Sequence, residues 1–381
     1  MKTCRIFPWR YGNRFRLLID GTQFLESMVQ AIEAAEQSVL LEMYLVESGA
    51  VADRFIVALV EAARRGARVT ALLDAFGSLG LRHKDRRRLT GAGVELRFHN
   101  TLGWSKRLGN FKRNHRKLLL VDGRVAFVGG MGLTDDFDGR ATGRAAWRET
   151  VVEIEGPVVS DWTSLFLRTW SRRGPCDVPA SPAATALERD GGAAGRVASS
   201  EGWHRAELAA SVVGRIETAR RRIWITSPYF ITSHRFRKAL RRAARRGVDV
   251  RLLGSGPLTD HPAVRHAARR FFAKFLRNGV RIFEYQPRVL HAKMVMCDDW
   301  VSIGSSNLDR WGFKWNLEAN QEIEHRPFAN RAAAVFEDDC RESLELDRKK
   351  WFRRSVLDRG REYLAGQFDR ALERWRRPLR D

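Results

Sequence analysis

The chain lacks the features that mark several large protein classes. It has 4 cysteines in 381 residues (Cys4, Cys176, Cys297 and Cys340), far apart and with no C-x-x-C. Neither a zinc site nor a disulfide framework is implied, and a reducing cytoplasm fits that usage. No apolar run reaches the ~18 residues that a bilayer span needs. The opening MKTCRIFPWRYGNRFRLL holds no apolar stretch of signal-peptide length, so the chain is expected to meet a membrane from its surface if it meets one at all. There is no G-x-S-x-G, which argues against a serine hydrolase. Acidic residues are few beside basic ones, 45 against 68, giving a formal charge of +23. Part of that excess is ordinary Arg-rich surface; the rest points to a nucleic acid, an anionic membrane surface or a phosphorylated substrate.

What is present is a repeat. HRKLLLVD sets His115, Lys117 and Asp122 at a spacing that returns in HAKMVMCD as His291, Lys293 and Asp298. Each copy opens an apolar run and is followed by a Gly-rich turn, VGGMGL or IGSSNL. The surroundings repeat as well: EAARRGARVTALL is answered by RAARRGVDVRLLG, and GAGVELRF by RNGVRIFEY. Gly66 to His115 spans 49 positions and Gly247 to His291 spans 44, so the copies keep register apart from a longer loop before His115. Strand-like runs such as SVLLEMYLV and RVTALLDAF alternate with helical patterns such as Phe24, Met28, Ile32 and Ala35. The expected fold class is therefore α/β, two units of mixed or parallel sheet with helices on both faces, related by a pseudo-twofold axis.

The Pro-, Ala- and Gly-rich stretch at 176–200 has linker composition. It separates an N-terminal unit, 1–175, from a C-terminal unit, 201–345, and a basic helical tail follows over 346–381. After Asn320 the pattern reads as helix. In the tail Leu364, Phe368, Leu372 and Trp375 make an apolar stripe that suits packing better than lipid contact. The Arg- and Lys-rich segment TLGWSKRLGNFKRN, with Trp104 and Phe111, runs into His115 and is expected at the edge of its site.

Residues two apart on a strand share a face, so each repeat offers an imidazole beside an ammonium. If the units pack face to face, two histidines and two lysines converge on a cavity suited to a phosphate ester. The lysines would neutralise the non-bridging oxygens, one histidine would attack phosphorus and the other would protonate the leaving alkoxide. The Gly-rich turns, with Gly130 in the first and Ser305 in the second, bring small residues and backbone N–H groups to the same place. A single His-Lys pair could be a solvated strand edge; two copies in register are not explained that way. A metal site is a poorer account, because no second ligand accompanies either histidine and lysine repels cations.

HRKLLLVDGRVAFVGG and HAKMVMCDDWVSIGSSN resemble the paired HKD motifs of the phospholipase D superfamily. WRYGNRFRLLIDG, LLEMYLVESG, WRETVVEIEGPVV, ITSPYF and GSSNLDRWGFKWNLEAN extend the resemblance to the bacterial cardiolipin synthases, most closely the B-type without transmembrane helices. The resemblance implies two phospholipase D-like domains with the active site at their interface. It further implies transfer of a phosphatidyl group from phosphatidylglycerol through a phosphohistidine, with no metal or other cofactor, at the cytoplasmic face of the membrane. Residue by residue, His115 would be the nucleophile, His291 the acid and base, and Lys117 and Lys293 the phosphate holders. Asp122 and Asp298 would orient imidazoles or order their turns, and Asn307 would line the pocket. Three positions depart from the family pattern: Gly132 where Asn is usual, a second motif one residue short that makes Asp299 an alternative to Asp298, and Glu149 where Asp is common. Alternatives within the same fold are hydrolysis or transfer to another headgroup. An HKD nuclease is disfavoured by the full-length resemblance, and a non-catalytic binding protein by the two intact motifs.

Overall fold

The architecture follows from short apolar runs that must be buried on both faces. A computed structural model describes residues 6–103, 109–172, 192–201, 207–309 and 315–354. In the first half the strands are β1 (Arg10–Ile19), β2 (Ser38–Met43), β3 (Arg68–Asp74), β4 (Glu95–His99), β5 (Leu118–Val121), β6 (Val125–Gly129) and β7 (Thr150–Glu155). In the second they are β8 (Ala193–Glu201), β9 (Arg222–Thr226), β10 (Asp249–Ser255), β11 (Arg281–Tyr285), β12 (Met294–Cys297), β13 (Trp300–Gly304) and β14 (Leu317–Glu324), with β15 (Ser343–Glu345) at the edge. All belong to one sheet in the order β15-β11-β10-β9-β12-β13-β14-β8-β1-β7-β6-β5-β2-β3-β4.

Outward from the central β1–β8 pair, both sides read the same: β7-β6-β5-β2-β3-β4 on one, β14-β13-β12-β9-β10-β11 on the other. Within each half the β2–β3–β4 or β9–β10–β11 set is parallel and the remaining pairs are antiparallel. The repeat seen in the sequence is thus a pseudo-twofold, and β1 meets β8 antiparallel on its axis.

Helices fill the faces as their spacing requires. The first, Asp20–Glu33, buries Phe24, Met28 and Ile32; the next, Ala50–Arg64, buries Phe55, Leu59 and Ala62. Gly66, at φ +97°, ends that turn in a conformation that costs a side chain energy. Each half has its own outer core, but a third core is shared. There Trp162 and Trp170 of the helix Val158–Ser171 lie with Val152, Val197, Met294, Ile323 and Phe336 from both halves. No helix among the described residues is long and apolar enough to cross a membrane.

Two boundaries differ from the sequence reading. The linker composition gives way before residue 200, because Ala193–Glu201 is β8, registered from Ala194 to Glu201 against Leu317–Glu324. Weak intrinsic strand character is overridden there by a long partner and by the Arg196–Glu322 ion pair at 2.7 Å. The chain after Asn320 continues as β14 to Glu324 before the helix Arg326–Arg341 begins. The apolar stripe of the tail and Trp104 lie outside the described residues.

Candidate active site

The two HKD segments enter the site in the same way. Before β5, the carboxylate of Asp74 at the end of β3 accepts from the Asn114 amide at 2.8 Å and the Arg113 guanidinium at 3.3 Å. Asn114 in turn donates to buried Glu42 of β2 at 2.6 Å. The backbone of His115 then crosses to the other half: its N–H donates to the Leu317 carbonyl at 3.0 Å, and the Leu317 N–H to Arg113 at 2.9 Å. The second motif mirrors this. The His291 N–H donates to the Arg148 carbonyl and the Arg148 N–H to Val289, both at 2.8 Å. In each case the residue bridged stands just before a glutamate.

Those glutamates complete the site reciprocally. His115 Nδ1 lies 3.0 Å from Glu318 of the second half, and His291 Nδ1 lies 2.6 Å from Glu149 of the first. Engaging Nδ1 on a carboxylate leaves Nε2 of each ring to face a substrate, with Lys293 Nζ standing 3.3 Å from that of His291. Lys117 Nζ donates to the His115 carbonyl at 2.7 Å. Lys293 Nζ caps the His291 carbonyl and stands 3.8 Å from Glu149 Oε2. The charge of Lys293 lowers the proton affinity of Lys117, and each ammonium feels both glutamates. The structure brings the two pairs together: His115 feels the charge of Lys293, and His291 those of Lys117 and His115.

Burial dominates the electrostatics. It brings Lys117 down to about 7 and lowers Lys293, in both cases against the pull of the carboxylates. It also lowers His115, opposed by Glu318, and sets His291 well below the usual imidazole value with help from both lysines. The two carboxyls diverge. Glu149 is pushed up to about 7 by burial. Burial acts on Glu318 too, but the charges of His115 and Lys117 and hydrogen bonds from His115 and Ser305 outweigh it and hold the group below its ordinary value.

Aromatic rings wall each imidazole. Tyr44 packs edge-on to His115 at 4.7 Å between centroids, while Trp147 and Phe137 flank His291 at 5.2 and 5.6 Å. Phe137 reaches that position because Gly21 has no side chain: a Cβ there would stand 1.8 Å from the Phe137 carbonyl oxygen.

The other expected residues separate into two groups. Gly130 and Ser305 sit in the site. A Cβ on Gly130 would come within 2.4 Å of Glu149 Oε2 and 2.9 Å of Lys293 Nζ, and the Ser305 hydroxyl donates to Glu318. Asn307 is buried beside Ser305, its carbonyl accepting from Ser227 Oγ at 2.6 Å. Gly132, where a side chain was expected, packs against Leu45.

Asp122 and Asp298 belong elsewhere: of the two roles expected of them, ordering their turns fits, and a catalytic role at the imidazoles is corrected. Each stands in a left-handed turn, φ 51° and 54°, at the far end of its strand. Asp122 accepts from the backbone N–H groups of Glu36, Gln37 and Ser38, and Asp298 from those of Arg220, Arg221 and Arg222. At ~3.3 Å per residue, seven residues place them roughly 20 Å from the histidines. They order the entry to β2 and β9. Asp299 does not substitute; it pairs with Arg221 at 2.7 Å.

Two functional residues escaped sequence reasoning. Glu318 lies inside β14, and the available signal was its place opposite WRET in the repeat. Asp20, at φ 61°, donates its N–H to the Glu149 carbonyl at 3.0 Å and accepts from the Glu149 N–H at 3.2 Å. It also binds Arg288 at 2.6 Å and Arg148 at 3.4 Å, while Arg148 forks onto Asp339 at 2.8 and 3.0 Å. This buried network holds Glu149 in position.

Among the described residues no group of His, Cys, Asp and Glu is arranged to hold a metal ion. The chain matches the family described as cardiolipin synthase, PLD-like domain, over residues 28–170 and again over 212–340. It is 36% identical over 344 residues to cardiolipin synthase A of Pseudomonas aeruginosa (strain PAO1), covering 89% of this chain and 69% of that protein. To cardiolipin synthase B of Escherichia coli (strain K12) it is 32% identical over 373 residues, covering 92% and 87%. Phosphatidylserine synthase of Haemophilus influenzae Rd KW20 superposes with a TM-score of 0.74 over 94% of this chain and 93% of that one, at 12% identity. Polyphosphate kinase of Porphyromonas gingivalis gives 0.60 over 88% and 49%, at 14% identity. Likeness at those identities shows the fold alone. Two repeats in one sheet, each giving a His-Lys pair whose histidine is bound by a glutamate of the other half, define a phospholipase D-like protein. Within that class the chain belongs to the cardiolipin synthase family.

Proposed function

We propose that the protein is a cardiolipin synthase, a phosphatidyltransferase that joins two phosphatidylglycerols and releases glycerol. The observation that carries the reading is the reciprocal pairing of His115 with Glu318 and His291 with Glu149 around two buried lysines. A phosphodiester anion between Lys117 and Lys293 would reverse the loss of proton affinity that burial imposes on both, so binding and charge favour one another.

In this reading Nε2 of His115 attacks phosphorus. Glu318, held ionised, accepts the Nδ1 proton in a hydrogen bond and stabilises the positive ring of the phosphohistidine. The bond from phosphorus to the glycerol oxygen breaks, and His291 gives that oxygen the proton from Nε2 while Nδ1 takes one from Glu149. Glycerol leaves. A hydroxyl of a second phosphatidylglycerol then loses its proton to His291 Nε2, its oxygen bonds phosphorus, and the bond to His115 breaks. The pair returns to its starting protonation, and the energy of the ester bond is kept throughout, so no nucleotide is consumed. Glu149, near 7, suits a group that alternates between the two states close to neutral pH.

The protein would act peripherally on the cytoplasmic leaflet, where a charge of +23 is attracted by anionic lipid at about 1 kcal/mol per well-placed cation. The test is turnover of labelled phosphatidylglycerol vesicles in chelator, with single-stranded DNA in parallel. Cardiolipin formed by the native chain and lost in His115→Ala and His291→Ala supports the reading. Phosphatidic acid as the sole product would reassign it to hydrolysis, and DNA cleavage without lipid turnover would sink it.

A further inference from the structure

Ten large apolar side chains are exposed among the described residues, and five of them cluster by position in the fold. Phe76 (51% exposed) and Leu79 (62%) follow β3, Leu102 (52%) and Phe111 (36%) follow β4, and Leu258 (51%) follows β10. Strands β3 and β4 are parallel, so their following loops leave one edge of the sheet, and β10 is the pseudo-twofold mate of β3. These loops border the site. Asp74 accepts from the Phe76 N–H at 2.9 Å and also from the Asn114 N–H, one residue before His115. The Asn100 side chain donates to Gly109 and Lys112, both at 2.8 Å, and Arg113 reaches back to the Asn100 carbonyl at 2.6 Å. Leu258 stands two residues from Asp260, whose charge is felt by both His291 and Lys293. Hydrogen bonds to Asp74 and Asn100 tie down the described parts of the loops after β3 and β4, which hold their apolar side chains outward.

We propose that the loops after β3 and β10, with residues 100–103 and 109–112 after β4, form the surface by which this protein docks on an anionic bilayer. Phe76, Leu79, Leu102, Phe111 and Leu258 enter the interfacial layer, and the exposed cations Arg82, Lys84 and Lys112 meet lipid phosphates. This rests on the reading of the site as one that acts on phospholipids. A phospholipid whose phosphate must reach His115 Nε2 keeps its acyl chains in the membrane only if the mouth of the cavity faces that membrane. The chemistry of the tips selects the partner. Three of the five are leucines, which offer a nucleic acid no ring to stack on, whereas aliphatic and phenyl groups rimmed by cations match the headgroup and upper acyl region of an anionic bilayer.

The experiment is flotation of the full chain with phosphatidylglycerol-containing vesicles and with phosphatidylcholine vesicles, beside transfer assays on a short-chain phosphatidylglycerol below its micelle concentration. The variants are Phe76→Ser/Leu79→Ser/Leu258→Ser and, as a control on distant exposed sites, Val57→Ser/Leu344→Ser, each compared at equal Tm. The native chain is expected to float with the anionic vesicles. The loop variant should lose vesicle binding by about 10-fold or more while turning over the monomeric lipid normally, and the control should match the native chain. A loop variant that floats like the native chain, a control that loses as much, or a native chain retained by DNA and not by vesicles would overturn the proposal. Loss of turnover on the monomeric lipid in the loop variant would also overturn it, by making the loops part of the chemistry. Failure of the lipid-transfer reading is seen separately, as a native chain that floats but turns over neither lipid.

Discussion

The two halves of the site are built alike and charged differently. Each has a histidine bound at Nδ1 by a glutamate from the opposite half, a lysine on the histidine's own carbonyl, and a backbone bridge one residue before each partner. The difference sits in the Gly-rich turns. On the Glu318 side Ser305 donates a hydroxyl to the carboxylate. On the Glu149 side the pseudo-equivalent position is Gly130, which offers no donor and leaves space for the carboxyl itself. One acid is held below its ordinary value and the other is pushed up to about 7. A symmetric scaffold thus supplies an asymmetric pair, which is what a reaction with one nucleophile and one proton carrier needs.

The largest effect should come from removing the charge that this asymmetry protects. Glu318→Gln leaves the shape but cannot be an anion, so kcat is expected to fall by roughly 10³–10⁴, and Glu149→Gln by about 10²-fold, since its amide still hydrogen-bonds His291 but cannot exchange the proton. Steady-state turnover of phosphatidylglycerol measures both. Equal losses would mean that the two dyads are equivalent in catalysis despite their charge.

Next in size are changes to the turns. Gly130→Ala places a methyl where Glu149 and Lys293 now stand, and should cost about 10- to 100-fold in kcat/KM by displacing Glu149 from His291. Ser305→Ala should cost about 10-fold and move the acid limb of the pH profile. The sign is fixed: the Ser305 hydroxyl favours the charged carboxylate, so its loss raises Glu318, and the His115–Glu318 pair takes up its inactivating proton at a higher pH. An acid limb that stays in place would separate Ser305 from the titration.

The sequence carried the symmetry further than it carried the chemistry. The pseudo-twofold and the meeting of the two His-Lys pairs were legible because repetition at long range is independent of local propensity. The His115–Glu318 contact spans 203 positions and joins a motif to a strand with no unusual composition, so only superposition of the repeats could point to it. β8 was hidden inside linker composition because its stability comes from its neighbours β14 and β1. Nothing in the sequence singles out Asp20. Its left-handed φ and its grip on Glu149 are tertiary facts. The aspartates of the two motifs misled in the opposite direction, since a residue repeated beside histidines reads as catalytic when its partners are backbone amides elsewhere.

That error leads to the smallest expected effect on rate and a clear one on stability. Asp122→Ala strands three backbone N–H groups at the start of β2, with the carboxylate they bound almost wholly buried. The expected loss is about 2–3 kcal/mol of unfolding free energy, from charge-assisted bonds to groups that water cannot easily replace. Asp298 makes the same three bonds but its side chain is 27% exposed, so water offsets part of the loss and Asp298→Ala should cost about 1 kcal/mol. Denaturant titration of the two variants should therefore rank them, while kcat per folded molecule stays within about twofold of the native value, because neither carboxylate touches an imidazole. Asparagine at either site keeps a side-chain oxygen and tolerates the left-handed turn, so it should recover much of the stability. A kcat that falls as far as in Glu318→Gln, at full folding, would return these aspartates to the catalytic set.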